Sequence, residues 1–221
     1  MTKEKFLIFD TETTGLLPAS QHRVHQYNTH QYPYIVQFSW MIYDNSVKRV
    51  TKIEDHVVRL PEGMEVPLES SKVHGITTKI MRKVGENILD VLKIFTKDLL
   101  DSDYIVAHNI KYDKTVVRAE YIRNNKIDWM GRHRKKEFCT LANSIDICNI
   151  MKLSKKGRPY KKFPKLMETH QTLFKTIPNN LHNSLIDIYV CFRCFHMLEY
   201  GFDILEKNKE FKKEFNRLCG L

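Results

Sequence analysis

The segment 5-KFLIFDTETTG-15 is an apolar run that ends in two carboxylates one residue apart, Asp10 and Glu12. The run from Phe6 to Phe9 predicts a buried strand. Residues i and i+2 of a strand point to the same face about 7 Å apart, so both carboxylates can face one point if the strand continues that far. Two anions in that position repel each other unless a cation lies between them. The segment therefore predicts a site for a divalent cation such as Mg²⁺, which carboxylates hold while water and phosphate fill its other positions.

The position of this acidic pair matters more than its spacing. Asp101 and Asp103 are also one residue apart, but they lie in a predicted exposed turn, so the spacing alone is a weak signal. The first pair ends a strand and is followed by 13-TTG-15, residues that turn the chain and offer backbone N–H groups to a ligand.

Composition predicts one domain, residues 1–221, because the chain is 42% hydrophobic and has only 8 glycines and 7 prolines in 221 residues. The net charge of +10 favours a polyanion such as nucleic acid as the partner; the alternative explanation is that it serves only solubility.

Several features predict a soluble, intracellular protein of the cytoplasm or nucleus. No apolar run approaches the roughly 18 residues of a membrane span, and the first apolar run meets Asp10 too early for a signal peptide. The five cysteines are odd in number and form no regular framework, which is typical of reduced thiols. Cys191 and Cys194 could form half of a zinc site, but their apolar helical context favours core packing.

Hydrophobic periodicity predicts alternating strands and helices. The predicted strands cover residues 5–10, 35–44, 56–60 and 104–108. The predicted helices follow Thr77 and Thr78, span 88–101 and 113–123, and run from about Ser184 to Tyr200 before Gly201. This order is typical of a layered α/β domain with a mixed sheet.

Three polar segments interrupt the pattern. Residues 18–33 are predicted to form a long surface loop, whose His22, His25 and His30 could alternatively bind a metal. The other two segments, 132-RHRKK-136 and 152-KLSKKGRPYKKFPK-165, are basic. The second has seven Lys or Arg residues interleaved with aromatic residues, a composition suited either to nucleic acid or to a solvated loop.

Two further acids lie at the ends of predicted elements. Asp113 follows the strand in 104-YIVAHNIKYDKTVVRAE-120, and Asp187 lies in the first turns of the helix in 181-LHNSLIDIYVCF-192. Ligand sites of α/β sheets collect at such ends. Acids at helix starts also favour the helix dipole, which is the alternative explanation for each.

A histidine precedes each of these acids by five residues. His182 and Asp187 would be about 140° apart on an ideal helix, so both face one site only if His182 lies before the helix or its start is distorted. A histidine in that lead-in could take a proton from water. His108 precedes Asp113 at the same spacing, but it ends a strand and is expected to be structural.

Together these segments resemble the DEDDh family of 3′-to-5′ exonucleases, which includes the epsilon proofreading subunit of bacterial DNA polymerase III. The resemblance rests on 9-FDTETTGL-16, 108-HNIKYDKTVV-117 and 182-HNSLIDIY-189, whose order and separation span nearly the whole chain. Supporting segments are 74-HGIT-77, 139-CTLANS-144 and 164-PKLMETHQTLF-174. The chain departs from the family pattern at Tyr112, where phenylalanine is common, and at Ser184 and Ile188, where alanine is common.

The resemblance implies an RNase H-like fold, with a central mixed sheet of five strands, the second antiparallel, flanked by helices. It implies that two Mg²⁺ or Mn²⁺ ions are held by Asp10, Glu12, Asp113 and Asp187. It also implies that His182 is the general base. Weaker correspondences place Thr13, Thr14, His74 and Asn109 near the terminal nucleotide.

The expected activity is hydrolysis of nucleic acid from a free 3′ end, with DNA favoured over RNA and 5′-mononucleotides as products. An exoribonuclease of the same branch is the nearest alternative. The metal site does not distinguish DNA from RNA, and no residue in the sequence indicates a contact to the ribose 2′-OH. A binding module without catalysis is the alternative from a different class. Because the chain holds no polymerase domain, proofreading would need a polymerase partner; the oligomeric state is not predicted.

Overall fold

A five-stranded sheet forms the centre of the structure, a computed structural model that describes residues 4–19 and 23–220. The strands are β1 (Lys5–Thr13), β2 (Ile35–Asp44), β3 (Arg49–Val57), β4 (Tyr104–Ala107) and β5 (Lys136–Cys139), in the order β3-β2-β1-β4-β5. Strand β2 runs antiparallel to β1 and β3, whereas β4 runs parallel to β1 and β5. The predicted mixed sheet with an antiparallel second strand is confirmed.

Ten helices surround the sheet in the part of the chain that the structure describes. They are α1 (Leu68–His74), α2 (Thr78–Val84), α3 (Ile88–Asp101), α4 (Ile110–Arg123), α5 (Trp129–Arg132), α6 (Thr140–Cys148), α7 (Leu166–Phe174), α8 (Ser184–Tyr200), α9 (Ile204–Lys207) and α10 (Lys209–Cys219). Side-chain caps begin several of them: Thr77 accepts from the backbone N–H of Ile80, and Asn183 from that of Leu185. Gly201 ends α8 in the left-handed conformation, as predicted.

The predicted strand at 56–60 is wrong in its bounds, because strand β3 spans Arg49–Val57. Its inward side carries Lys52, Glu54 and His56, so the strand lacks the apolar alternation on which the prediction depended. These side chains pair with each other and with the helices instead: the Nζ of Lys52 lies 2.7 Å from the Oδ2 of Asp98. Charged residues are typical of an edge strand, where they discourage pairing with another chain.

Two other boundaries differ from the prediction. Strand β1 continues to Thr13, which places Glu12 inside the strand, and α4 begins at Ile110, three residues before the predicted start at Asp113. Asn109 makes the earlier start possible because it adopts the left-handed conformation with φ 65°, which turns the chain from β4 directly into the helix.

The hydrophobic core lies on both faces of the sheet. Phe6 and Ile8 of β1 pack on one face with α8, while Leu7 and Phe9 pack on the other with α3 and α4. Every residue of β2 except its last is buried, so both faces of this strand contribute to the core. Ile188, a departure from the family pattern, is fully buried in the α8 cluster.

The cysteines of the C-x-x-C segment contribute to the core. Cys191 and Cys194 are free thiols, 2% and 0% exposed, within the cluster around α8. This agrees with the core packing that their apolar context predicts. Burial raises the pKa of both thiols well above its usual range.

The predicted loop 18–33 is partly structured. A single turn of 3₁₀ helix covers Thr29–Gln31, and the Nη2 of Arg123 donates to the backbone carbonyls of Thr29 and Tyr32. His25 and His30 are exposed and belong to no candidate metal cluster among the described residues. His22 lies outside the described residues.

The second basic segment forms a β-hairpin, which neither sequence-based interpretation anticipated. Strands β6 (Met151–Leu153) and β7 (Pro159–Lys161) pair antiparallel, and all six of their residues are exposed. The pattern of these strands is too short to stand out from a loop. No helix among the described residues has the length and hydropathy needed to cross a membrane.

Candidate active site

The four acids of the three motifs meet where strand β1 ends and helices α4 and α8 begin. Asp10 and Glu12 lie near the C-terminal end of β1, where they pair in register with Ser39 and Gln37 of β2. Asp113 lies in the first turn of α4, which follows the C-terminal end of β4. Because β1 and β4 are parallel, both deliver their acids to the same edge of the sheet. Asp187 approaches this edge from the first turn of α8.

Glu12, His182 and Asp187 form the tightest group at this edge, with possible ligand atoms that all lie within 4.8 Å of one another. His182 lies before α8, which begins at Ser184, and this meets the condition that the spacing imposed. The backbone N–H of His182 donates to the Oδ2 of Asp187 at 3.3 Å, and its φ of 69° is left-handed. This conformation, uncommon in a residue other than glycine, folds the exposed imidazole back toward the acids.

Asp113 is held to strand β1 rather than to its own helix. Its Oδ1 accepts from the backbone N–H of Thr11 at 3.1 Å and from the Thr11 hydroxyl at 2.8 Å. These bonds across 102 residues fix the start of α4 beside the acidic pair. Hydrogen bonds to one oxygen leave the other oxygen of Asp113 available to a ligand.

Burial raises the pKa values of the four carboxylates, and the charge of a neighbouring acid raises three of them further. Burial raises the pKa of Asp10 to about 7. Burial, and then repulsion from Asp10 and Asp113, raises the pKa of Glu12 to about 9. Burial and the charge of Asp10 also raise the pKa values of Asp113 and Asp187 well above their usual range. The fold therefore places the acids close enough to interact, with no compensating charge from a described lysine or arginine.

The donor set fits hard divalent cations. The Oδ1 of Asp187 is buried and has no hydrogen-bond partner in the structure, so this oxygen pays a desolvation penalty that a cation would relieve. Carboxylate oxygens are the ligands that Mg²⁺ and Mn²⁺ prefer, and an imidazole at the margin of the site does not exclude them.

A groove of about 400 Å³ opens beside the acids. Its lining residues are Thr11, Glu12, Thr13, Gly15, Leu16, Glu69, Ser70, Val73, His74 and Tyr112. Leu16 and Val73 expose 87% and 55% of their surface, so the groove offers apolar walls next to carboxylates. Sequence reasoning missed both residues because a single exposed apolar side chain has no distinctive pattern.

Thr13 and His74, two of the predicted substrate contacts, line this groove. The Thr13 hydroxyl lies 2.6 Å from the Tyr112 hydroxyl, which itself donates to the Gly15 carbonyl at 2.6 Å. Tyr112 thus ties the turn after β1 to α4 through the oxygen that distinguishes it from the family's phenylalanine. Burial lowers the pKa of His74, and the nearby His182 lowers it further.

The other two predicted substrate contacts lie outside the groove lining. Thr14 is engaged with the start of β2: its hydroxyl accepts from the backbone N–H of Tyr34, and its own N–H donates to the Tyr34 carbonyl, both at 2.9 Å. Asn109 is exposed at the start of α4, and its side chain forms no capping hydrogen bond.

A polar network under the acids also escaped sequence reasoning. The hydroxyls of Ser184 and Ser39 lie 2.5 Å apart, and the backbone N–H of Ser184 donates to the Oε1 of Gln37 at 3.3 Å. These bonds join the first residue of α8 to β2. Ser184, a departure from the family pattern, thereby helps to fix the position of Asp187.

His108 has a structural role, as expected. Its Nε2 lies 3.1 Å from the carbonyl of Pro164 and its Nδ1 lies 2.9 Å from the Thr140 hydroxyl. Burial lowers its pKa to about 4, so the ring is neutral, with Nε2–H donating and Nδ1 accepting.

The exonuclease family model matches residues 7–195, a range that contains all four acids and His182. The chain belongs to the exonuclease family. As a family member, it is 23% identical over 229 residues to DNA polymerase III subunit epsilon of Buchnera aphidicola, an alignment that covers 99% of this chain and 83% of the relative. It is 30% identical over 120 residues to a DNA polymerase III subunit epsilon-like protein of Rhodobacter capsulatus, which covers 54% of this chain but only 15% of that protein.

Solved structures confirm the fold of this family member. Exonuclease I of E. coli, in a complex with a dT13 oligonucleotide, matches it with a TM-score of 0.65 at 18% identity. The match covers 96% of this chain and 46% of exonuclease I, so the chain spans about half the length of that protein. A complex of exonuclease I with a dA16 oligonucleotide matches with a TM-score of 0.63 at 20% identity. The fold is therefore the RNase H-like fold that the motifs implied.

Proposed function

We propose that this chain is a metal-dependent 3′-to-5′ exonuclease that hydrolyses phosphodiester bonds at single-stranded or frayed 3′ ends of DNA and releases 5′-mononucleotides. One observation carries the proposal: Glu12 and Asp187 converge with His182 within 4.8 Å, and the buried Oδ1 of Asp187 has no partner. An acidic cluster that lacks its own cation, on a chain of this family, is suited to hold metal ions against a phosphate.

In this proposal Asp10, Glu12, Asp113 and Asp187 hold two Mg²⁺ or Mn²⁺ ions. When bound, these cations would polarise the scissile phosphate, lower the pKa of the attacking water and stabilise the departing 3′ oxygen. Asp113 is prepared for this task because Thr11 fixes one of its oxygens. Asp187 is prepared because the backbone N–H of His182 holds its Oδ2 and leaves the Oδ1 without a partner.

His182 is the proposed general base. It lies on the lead-in to α8, where it is exposed, so its imidazole can accept a proton from the attacking water and pass it to solvent. Ligand oxygens of Glu12 and Asp187 lie within 4.8 Å of the imidazole, so the ring lies next to the proposed metal ligands.

The groove beside the acids is the proposed binding site for the 3′-terminal nucleotide. Leu16 and Val73 offer apolar surface to a base or sugar, whereas Thr13 and His74 offer polar atoms. The buried Nε2 of His74 has no hydrogen-bond partner of good geometry, although the Thr13 backbone lies near enough to affect its pKa. Thr14 and Asn109 are proposed to contact the substrate only at the margin, since neither lines the groove.

We propose DNA as the preferred substrate because the relatives include DNA polymerase III epsilon subunits and because exonuclease I, which shares the fold, was solved with DNA oligonucleotides. The name of the first relative also supports a polymerase as a possible partner. Residues 1–221 are proposed to form a single exonuclease domain. Phe211 and Phe215, which lie beyond the family match, pack into the same core cluster as α8, and this supports the proposal.

The decisive experiment incubates the purified protein with 5′-labelled single-stranded DNA and RNA of one sequence, in Mg²⁺, in Mn²⁺ and in chelator. The expected result is a ladder that shortens from the 3′ end, requires metal and is absent with Asp10→Ala. Faster shortening of RNA would favour the exoribonuclease alternative. Binding of either strand without any ladder would overturn the proposal in favour of a binding module.

A further inference from the structure

The β-hairpin and the residues that follow it, 151–165, form a surface with unpaired positive charge, which we name the basic hairpin. Two of its lysines have carboxylate partners: Lys161 lies 2.5 Å from Asp146, and Lys162 lies 2.5 Å from Glu168. Four further cations, Lys152, Lys155, Lys156 and Arg158, form no ion pair with any carboxylate in the described part of the chain. Charges that the fold leaves unneutralised on one projection are available to an external anion.

The hairpin holds these charges in a defined arrangement. The register pairs Lys152 with Tyr160, which places a cation and an aromatic ring on the same face. Two backbone bonds close the turn, from Ser154 to the Arg158 carbonyl at 2.8 Å and from Gly157 to the Ser154 carbonyl at 2.9 Å. Gly157 adopts a φ of 72°, which favours glycine. The segment is therefore an ordered turn of sheet rather than an unpatterned loop.

Aromatic surface is exposed between the charges. Tyr160 exposes 47% of its surface and Phe163 exposes 67%. Exposed rings interleaved with cations match the needs of single-stranded nucleic acid, whose bases stack on rings while its phosphates contact lysine and arginine. A protein interface would also use exposed rings, but the neighbouring acids, proposed to act on nucleic acid, favour a strand as the occupant.

The base of the hairpin is attached to the edge of the sheet that carries the acids. The carbonyl of Pro164 accepts from the Nε2–H of His108, the residue that directly follows β4 and precedes Asn109. Leu166, two residues further on, is buried in the α8 cluster. The hairpin thus rises beside the start of α4, on which Asp113 lies.

We infer that the basic hairpin binds the part of a single nucleic-acid strand that lies behind the 3′-terminal nucleotide. This inference rests on the proposed function, because the nucleotides on the 5′ side of the terminal one pass the hairpin only when the 3′ end is held at the acids. The division of labour is electrostatic. The acids beside the groove offer no positive charge of their own to a polyanion, so affinity for the strand has to come from cations outside the site, and the hairpin supplies them next to it.

The test compares the variant Lys155→Ala/Lys156→Ala/Arg158→Ala with a matched control, Lys93→Ala/Lys97→Ala/Lys126→Ala. The control removes the same charge from exposed lysines on or near the helices of the opposite sheet face. Anisotropy of a 5′-fluorescein 20-nucleotide DNA in chelator measures binding without cleavage. We expect the hairpin variant to lose about tenfold or more in affinity, and the slope of log K against log salt to decrease by about 2, since each phosphate contact of a single strand contributes roughly 0.7. The control should keep the parent's slope.

Cleavage in Mn²⁺ gives the second readout. The hairpin variant should lose kcat/KM on the 20-nucleotide strand but retain it on a dinucleotide, which is too short to reach the hairpin. Tyr160→Ala/Phe163→Ala should reduce affinity about fivefold or more at an unchanged salt slope, because stacking carries no charge.

The two proposals fail separately in these assays. A parent that cleaves both substrates, with a hairpin variant that binds and cleaves like it, would overturn the hairpin inference and leave the exonuclease proposal intact; the hairpin would then be a surface for a protein partner. A parent that binds the strand through the hairpin but cleaves nothing would support the inference of strand binding and overturn the proposed function. Equal losses in the hairpin variant and the control would also overturn the inference, because they would reflect net charge alone.

Discussion

Buried carboxylates occur in two settings around the same sheet, and the protein neutralises the charge in only one of them. Asp98, 8% exposed, accepts from the Trp40 indole at 2.8 Å and from the Lys52 ammonium at 2.7 Å. Glu120, 2% exposed, pairs with Arg123 at 2.6 Å. The four acids at the end of β1 have no such partner among the described lysines and arginines.

The difference between the two settings indicates what each is for. A carboxylate paired with a lysine or arginine stabilises the packing of a helix on the sheet, and its charge is already used. Four unpaired carboxylates cost free energy in the folded state, since burial and mutual repulsion disfavour their charged forms. Clusters of this kind are typical of sites where a ligand supplies the compensating positive charge. The comparison therefore supports the metal-binding proposal independently of the family motifs.

The largest expected effect is loss of cleavage when one of the unpaired acids is replaced. Asp10→Asn and Asp187→Asn each remove a proposed metal ligand while keeping the shape of the side chain. We expect cleavage of single-stranded DNA to fall roughly 10³-fold or more, the scale expected when groups that stabilise transition-state charge are lost. Initial rates in Mg²⁺ and Mn²⁺, with circular dichroism as a check of folding, provide the measurement.

The paired side of the comparison supplies the control for this experiment. Asp98→Asn removes a buried carboxylate that has protein partners, so it should lower stability but leave the rate per folded molecule near that of the parent. Near-parental cleavage by Asp10→Asn or Asp187→Asn, or an equal loss in Asp98→Asn, would contradict the metal assignment.

The next effect separates the base from the metal ligands. His182→Ala should lower turnover at neutral pH roughly 10²- to 10⁴-fold, the usual contribution of a general base, because no other described histidine lies in the cluster with Glu12 and Asp187. Stabilisation of the protein by Mn²⁺, measured by thermal unfolding, should remain, since the four acids are intact. Substantial activity of His182→Ala at neutral pH would refute the role of the base.

A smaller effect concerns the stability of the protein without metal. The raised pKa values, about 7 for Asp10 and about 9 for Glu12, mean that the folded state holds protons which the unfolded state has already lost. The free energy of unfolding of the metal-free protein should therefore fall as the pH rises from about 4 to about 9. Saturating Mn²⁺ should remove this decline.

The size of the metal effect follows from mass action. Metal at 100 times its Kd contributes about 2.7 kcal/mol per site. For a chain of this size each occupied site should raise the melting temperature by roughly 5–10 °C. Glu12→Gln should raise the melting temperature of the metal-free protein at pH 8 and lose most of the metal increment. A metal-free protein whose stability is independent of pH in this range would contradict the proposed repulsion.

The sequence predicted those parts of the site in which an apolar run locates the functional residue. Asp10 follows the buried apolar run of β1, and Asp187 lies in the first turns of an apolar helix, so periodicity alone places them near element ends. The position of His182 could be stated only as a condition, because a spacing of five residues does not say where a helix begins. Asn183 decides it, since its side chain accepts from the backbone N–H of Leu185 and caps a helix that starts at Ser184, two residues after His182.

The parts that escaped prediction depend on contacts between distant residues. Strand β3 pairs through its backbone while its inward side is charged, so it has no apolar signal. The hydroxyl of Tyr112 gains its role from Thr13 and Gly15, which lie almost 100 residues away. The family resemblance implies that Thr14 lies near the terminal nucleotide, but it does not report that Tyr34 engages the hydroxyl and the backbone N–H of Thr14. No local pattern reports such pairings.

The smallest expected effect concerns the pH dependence of stability at His196. This residue represents a third setting, a buried titratable group that has neither a hydrogen-bond partner nor a proposed ligand. Both ring nitrogens of His196 are buried without hydrogen bonds, and Tyr43, Phe192 and Tyr200 surround the ring. Burial lowers the pKa of His196 to about 4, so the ring is neutral in the folded state. Its contribution to stability is complete above about pH 6.5 and is lost as the pH falls toward 4, by at most about 3 kcal/mol.

His196→Phe and His196→Leu test this setting, because either variant removes the titration whatever it does to packing. The measured quantity is the difference in the free energy of unfolding between pH 7.5 and pH 5, which should be about 2 kcal/mol smaller in the variants than in the parent. His108 and His170, also with pKa values lowered to about 4, contribute equally to the parent and the variants and cancel in this comparison. If the variants and the parent show the same difference between pH 7.5 and pH 5, protonation of His196 costs no free energy of folding. Burial alone would then be insufficient to explain the raised pKa values of the four acids as well.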